Sequence, residues 1–232
     1  MAKQEKKHNK TMAEMVTDLG AKRAELVLGG GTAVGATIFS GGVDLVEGTA
    51  SATIVSNGGY EFVAAGGIAD GTVIDSGGFV YVASGGSISG ATISGGTLDL
   101  ASGAVVTSGA LTVTFSSGGE LILNDAVHFG GFVAGFSGTI DSMDLVDIPY
   151  VASGGSATTV NWTQLTSGGN GSGTLTVAEG GHIANITLLG QYVAGAGNFS
   201  LQNDGGGGTL VIDPPVAQPG ATALTLVNPH HA

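Results

Sequence analysis

Residues 53–71, TIVSNGGYEFVAAGGIADG, and residues 72–90, TVIDSGGFVYVASGGSISG, lie on one another without a gap, and each is 19 residues long. A fixed period near 20 residues marks an array in which each unit buries its apolar face against the next, not a compact globule. The apolar residues fall into columns. Ile38, Val55, Ile74 and Ile93 precede the first glycine doublet of each unit, and Val46, Val63, Val82 and Leu100 follow it. Ala50, Ala69, Ile88 and Val105 form a third column beyond the second doublet. Gly-Gly, Ser-Gly and Asn-Gly-Gly punctuate the columns, and glycine there permits the positive φ that turns a corner. The pattern predicts three short strands and three corners per coil of an all-β parallel β-helix, or β-solenoid. Stacked coils should pair every strand with the rungs above and below, about 4.8 Å apart. Residues 31–128 then make about five coils, with Val63 over Val82.

Composition agrees with a thin, repetitive core. Of 232 residues 44 are glycine, without a Gly-X-Y period, and 42% are hydrophobic, which argues against both collagen and plain disorder. Trp162 is the single tryptophan. All six basic residues, Lys3, Lys6, Lys7, Lys10, Lys22 and Arg23, precede residue 24, and the net charge is −12. An acidic body of this kind repels nucleic acid and anionic membranes at long range. Cysteine is absent, which excludes disulfides and thiolate metal sites.

At the N-terminus, Thr11 and Glu14 have capping-box spacing, and Met12, Met15, Val16 and Leu19 follow a helical stripe. The spacing predicts an amphipathic helix over about 11–28, either a cap on the first coil or a targeting segment. Glu14, Thr17 and Asp18 interrupt the only candidate for a secretory h-region, so a Sec signal peptide is not expected. No stretch is long and apolar enough for a membrane-spanning helix. The boundaries read as a basic leader with the helix over 1–28, repeats over 29–131, and a β-rich C-terminal module over 132–232 with a disordered tail from about 214.

The glycine-doublet units of residues 31–131 resemble the AIDA-type repeats in the passenger regions of bacterial autotransporter adhesins. That resemblance implies a parallel β-helix working outside the cell in adhesion or aggregation, with Ser or Thr glycosylation in some passengers. The string of alternating strands that would form an autotransporter membrane barrel is not seen. Instead, GTLTVAEGGHIANITLLGQYVAGAGNFSLQNDGGGGTLVIDPP at residues 173–215 resembles the closing module of repeat-rich secreted proteins of alpha-proteobacteria. Asp141, Asp144 and Asp147, with Leu145 and Ile148, resemble the acidic-aliphatic segment that follows calcium repeats in type I secreted proteins. Such proteins carry a C-terminal export signal.

Chemistry-bearing residues are few. Asp141, Asp144 and Asp147 offer hard oxygen ligands, but spacing by three differs from calcium-loop alternation, and they read as solvated turn acids. Gly205–Gly208 lacks the Lys-Ser/Thr of a phosphate loop and reads as a turn. His128 and His182 have no sequence motif supplying a partner, and His230–His231 sit in the tail. Polysaccharide lyase chemistry lacks a basic electrophile after Arg23, while inverting hydrolysis by paired carboxylates stays open. The expectation is a non-enzymatic, extracellular or surface-displayed bacterial adhesin-like solenoid with no catalytic, metal or cofactor site. Its expected partners are cell-surface or matrix glycans or proteins, with self-association and without nucleic acid. The alternatives are a β-helix glycoside hydrolase acting on surface polysaccharide and a self-assembling matrix or S-layer-like protein.

Overall fold

A computed structural model describes residues 23–106, 112–138, 140–155, 157–166, 171–190, 192 and 199–212. Two sheets wind around one narrow core. The first, of nine strands, starts as a parallel ladder of seven rungs: Arg23–Val27, Gly42–Val46, Tyr60–Val63, Phe79–Val82, Thr97–Leu100, Gly119–Leu123 and Asp141–Leu145. The second, of twelve strands, carries the other wall of each coil, for example Ile68–Asp75 paired in parallel with Ser87–Ser94. Gly71 and Gly90, both at positive φ, crease these longer strands, so one coil has three sides although it hydrogen-bonds as two sheets.

The glycine doublets have a divided role. Gly66 supplies the positive φ of the corner. A methyl group at Gly67, by contrast, would run into the Val46 carbonyl of the previous coil, so the second glycine lets successive corners stack. The predicted columns follow. Val46, Val63 and Val82 are in register and fully buried, as are Val55, Ile74 and Ile93. Removing each such side chain from water stabilises the fold by about 1.5–3 kcal/mol. The third column needs one correction: Ile88 pairs with Val106, and Val105 is 48% exposed. Laid on its predecessor VASGGSI without a gap, LASGAVV puts Ala104 where Gly86 stands and Val106, not Val105, at the position of Ile88.

A helix over 11–28 is not what the second half of that segment forms. Arg23–Val27 is a strand, with Val27 on Val46 and Leu26 on Leu45, because RAELV matches GVDLV and the ladder's edge hydrogen bonds outweigh local helical spacing. The first half of the predicted helix lies outside the described residues, as does the tail from 214. The ladder also continues past residue 131: Phe132–Ala134 adds to the second sheet and Asp141–Leu145 to the first.

At the C-terminal end both sheets turn antiparallel. Thr159–Thr166, Ser172–Glu179 and His182–Leu189 form a meander whose last strand joins Phe132–Ala134. Thr209–Ile212 lies antiparallel on Asp141–Leu145, with Ser200–Asn203 outermost. Phe115, Phe136, Phe199 and Trp162 fill the last coil, with Phe115 and Phe136 5.3 Å apart, and Tyr192 donates its hydroxyl to the Phe136 carbonyl at 2.9 Å. The outermost strands, TVNWTQLT and SLQN, are polar, which blunts edge-to-edge pairing. No helix among the described residues is long and apolar enough to cross a membrane.

Candidate functional site

Three places concentrate chemistry: the interior of the first coils, the outer face of the nine-stranded sheet, and a cleft beside the long connection after Leu100.

Inside, the column that holds Val80, Leu98, Leu121 and Met143 runs back through Glu61 and Asp44, both fully buried, to a register position held by Glu25 on the first rung. Across the interior the second sheet answers with buried Thr53 and Thr72, where later coils place Ala91 and Val113. Thr72 donates its hydroxyl to Glu61 Oε2 at 3.1 Å. Desolvation, then the neighbouring Asp44, push the Glu61 carboxyl up to about 7, against a smaller downward pull from Thr72. In this one column, then, the first coils present carboxyls and hydroxyls to the interior where the coils from Val80 to Met143 present hydrocarbon.

On the outer face of the same sheet, Tyr60 stacks on Phe79 with centroids 5.3 Å apart and Phe62 on Tyr81 at 5.5 Å. Val43, Leu45, Ala64 and Ala83 complete an apolar cluster separate from the core. Farther along, this face turns acidic. Asp99 accepts a hydrogen bond from the Asn124 amide at 2.6 Å, and Asp144 sits two rungs on in the same column. Desolvation, then Asp204, Glu120 and Asp99, raise the Asp144 carboxyl to about 7. Burial, with Asp99 close by, pushes the Tyr60 and Tyr81 phenols up.

The cleft, about 400 Å³, is lined by Leu100, Val106, Leu123, Phe129 and the pair Asp125–His128. That pair, 2.6 Å apart, is formed by a single 3-10 turn, Ala126–His128, and the imidazole is exposed. Sequence reasoning missed it, although D-x-x-H spacing on one helical turn is the signal that would have found it. Among the described residues no hydroxyl hydrogen-bonds to this imidazole, so the arrangement holds a base without a nucleophile.

The acids read from sequence as solvated turn residues are nothing of the kind at 141 and 144. Both lie on the seventh rung and are buried, Asp141 pointing inward and Asp144 outward, with Thr209–Ile212 paired beside that rung in the same sheet. Asp141 Oδ2 accepts the Ser137 amide at 2.8 Å. Asp147 caps the 3-10 turn, accepting from the Ala126 and Val127 amides at 2.9 and 3.2 Å. The three carboxylates are thus committed to different places. Among the described residues no group of three or more His, Asp or Glu side chains is arranged to hold a metal. Gly205–Gly208 is a turn: its Gly206 and Gly207 amides donate to Asp204 Oδ1 at 2.6 and 2.7 Å. His182 is exposed at the start of its strand after Gly180-Gly181, and His230 and His231 lie outside the described residues.

Against known proteins, no family model and no curated sequence matches this chain. Among solved structures it is similar to the crystal structure of the TibC-catalyzed hyper-glycosylated TibA55-350 fragment, at 34% identity and a TM-score of 0.38. The match covers 48% of this chain and 39% of that one, so it spans less than half the length of the fragment.

Proposed function

We propose that the chain is a non-enzymatic, secreted or surface-displayed adhesin-like solenoid that mediates attachment or aggregation. The observation that supports this reading is the uninterrupted parallel ladder built on repeats resembling AIDA-type passengers. Such a ladder sets identical outward positions one rung apart over seven rungs, a rigid lattice suited to repetitive surfaces such as glycans or matrix proteins. The C-terminal meander serves in this reading as both cap and export address. Fractionation of a producing culture tests the location, and binding of the purified chain to cells without turnover of their polysaccharide tests the role. A chain confined to the cytoplasm refutes the proposal. Deleting residues 160–232 is expected to retain the repeats inside the cell, whereas deleting residues 2–28 is not.

A second reading draws on Asp144, which holds its proton to about 7 among Glu120, Asp99 and Asp204, the arrangement of a general acid beside a carboxylate base. It assigns the protein to glycoside hydrolysis. Release of reducing ends from surface polysaccharide, lost in Asp144→Asn, supports it, and intact polysaccharide removes it.

A further inference from the structure

The C-terminal module carries a sequence pattern that the repeats lack. Four of the five asparagines from Thr159 to Asn203 begin an Asn-x-Ser/Thr triplet without proline: Asn161-Trp162-Thr163, Asn170-Gly171-Ser172, Asn185-Ile186-Thr187 and Asn198-Phe199-Ser200. One more, Asn9-Lys10-Thr11, stands in the leader, whereas Asn57 and Asn124, the asparagines of the repeats over 29–131, begin none. Serine and threonine are common in this chain, so a single triplet would be unremarkable. Four within one module are a concentration, and the triplet is the acceptor signature for a sugar on the asparagine amide.

The fold gives the triplet a spatial meaning at Asn161 and Asn185; Asn170 and Asn198 lie outside the described residues. On a strand, residues two apart face the same way. The amide and the hydroxyl of each triplet therefore share the outer surface, while Trp162 and Ile186 between them enter the core. Asn161 is exposed, and its Nδ2 donates to the Thr163 hydroxyl at 3.4 Å. Asn185 is exposed as well. Its Oδ1 accepts from the Thr176 hydroxyl at 2.9 Å, a bond that engages the carbonyl oxygen and not the nitrogen that a sugar would join. Asn161, Thr176 and Asn185 are in register across the three strands, which sets the two asparagines about 10 Å apart at about 4.8 Å per strand. Leu165 and Ile183, 63% and 47% exposed, lie on the same face of the same two strands.

We propose that Asn161 and Asn185 are N-glycosylation sites, each taking an aldose from a diphosphate-activated sugar through a glycosyltransferase of the producing cell. Nδ2 attacks the anomeric carbon and a C–N bond forms; the bond from that carbon to the diphosphate oxygen breaks, and the diphosphate leaves with the electron pair. The amide gives one proton to a base of the transferase, and nothing is oxidised or reduced. Because both asparagines lie on the outer face, a sugar added before the strands pair still fits after folding. Sugars there shield Leu165 and Ile183 and flank the outermost strand Thr159–Thr166, a bulky, solubilising cover on an apolar patch and an open sheet edge. The modification does not depend on what the solenoid binds.

Full chain purified from its producing culture, digested with pepsin and sequenced by electron-transfer fragmentation, tests this. A hexose or N-acetylhexosamine mass is expected on Asn161 and Asn185, with Asn57, exposed but outside any triplet, bare. Thr163→Ala should remove the mass from Asn161 alone and Thr187→Ala from Asn185 alone, although each variant keeps its asparagine. Thr163→Ser and Thr187→Ser should retain it, which separates recognition of the hydroxyl from damage to the fold. Bare Asn161 and Asn185 in the purified chain overturn the proposal. So does a mass that survives both alanine variants, or one found only on serine and threonine.

Discussion

Glu61→Gln should make the protein more stable at neutral pH and change little in acid. The carboxyl ordinarily loses its proton near 4.5 but keeps it to about 7 in the fold, because burial and Asp44 both oppose a charge there. Between those values the folded chain holds a proton that the unfolded chain has released, so stability falls as pH rises through this window and is greatest below it. At about 1.4 kcal/mol per pKa unit the loss reaches about 3 kcal/mol above pH 7. Glutamine has the same shape and offers Thr72 the same acceptor without the charge. Urea denaturation at pH 5 and pH 8 reads the difference. With an m-value of about 2 kcal/mol/M, the Glu61→Gln midpoint should exceed the parent by roughly 1–2 M at pH 8 and by only about 0.4 M at pH 5, near the foot of the window. Asp144, also raised to about 7, adds a second contribution of the same sign, so a residual slope should persist until Asp144→Asn is introduced as well. A variant no more stable than the parent at pH 8 would refute the assignment of a buried, proton-holding Glu61.

Val82→Asp places a carboxylate at a fully buried position of the central column and should cost at least several kcal/mol, whereas Asp75→Asn at the half-exposed end of its strand should cost little; thermal melts compare them. Gly67→Ala should destabilise strongly, because its methyl meets the Val46 carbonyl, while Gly181→Ala, which meets nothing, should be near neutral in the same assay. Ala52 is the non-glycine residue at positive φ among those described, in the crease where other coils use Gly35, Gly71 and Gly90. Ala52→Gly should therefore raise stability by up to about 1 kcal/mol, the left-handed strain relieved less the entropy glycine adds to the unfolded chain.

The repeat, its corners and two of its inward columns were legible because glycine doublets and β-branched residues recur at one spacing, and stacking converts that spacing directly into register. What escaped sequence reasoning has identifiable causes. Asp44 and Glu61 occupy an inward column that is hydrocarbon from Val80 to Met143, and Thr72, which bonds Glu61, belongs to the opposite wall, a pairing that only the closed coil brings together. Five residues such as RAELV satisfy helix and strand periodicity equally well, and the neighbouring rung decides between them. Asp141 and Asp144 look like turn acids at a spacing of three, yet they lie on one strand, where that odd spacing sends them to opposite sides, both buried. Asp125–His128 depends on a one-turn 3-10 segment inserted after the sixth rung, where the repeat gives no guide.

The polar lining of the first coils bears on how the solenoid carries force. Hydrogen bonds between rungs run along the axis, so tension applied along it loads them in series, and the array parts first at its weakest junction. The junction of the second and third rungs, where Asp44 meets Glu61, gains less from burial than the hydrocarbon junctions from Val80 to Met143. Because Glu61 sheds its proton near neutrality, that junction is firmer in acid. Under load the chain should yield from its N-terminal coils first, at a force that acidification raises, while the aromatic-filled C-terminal end stays wound.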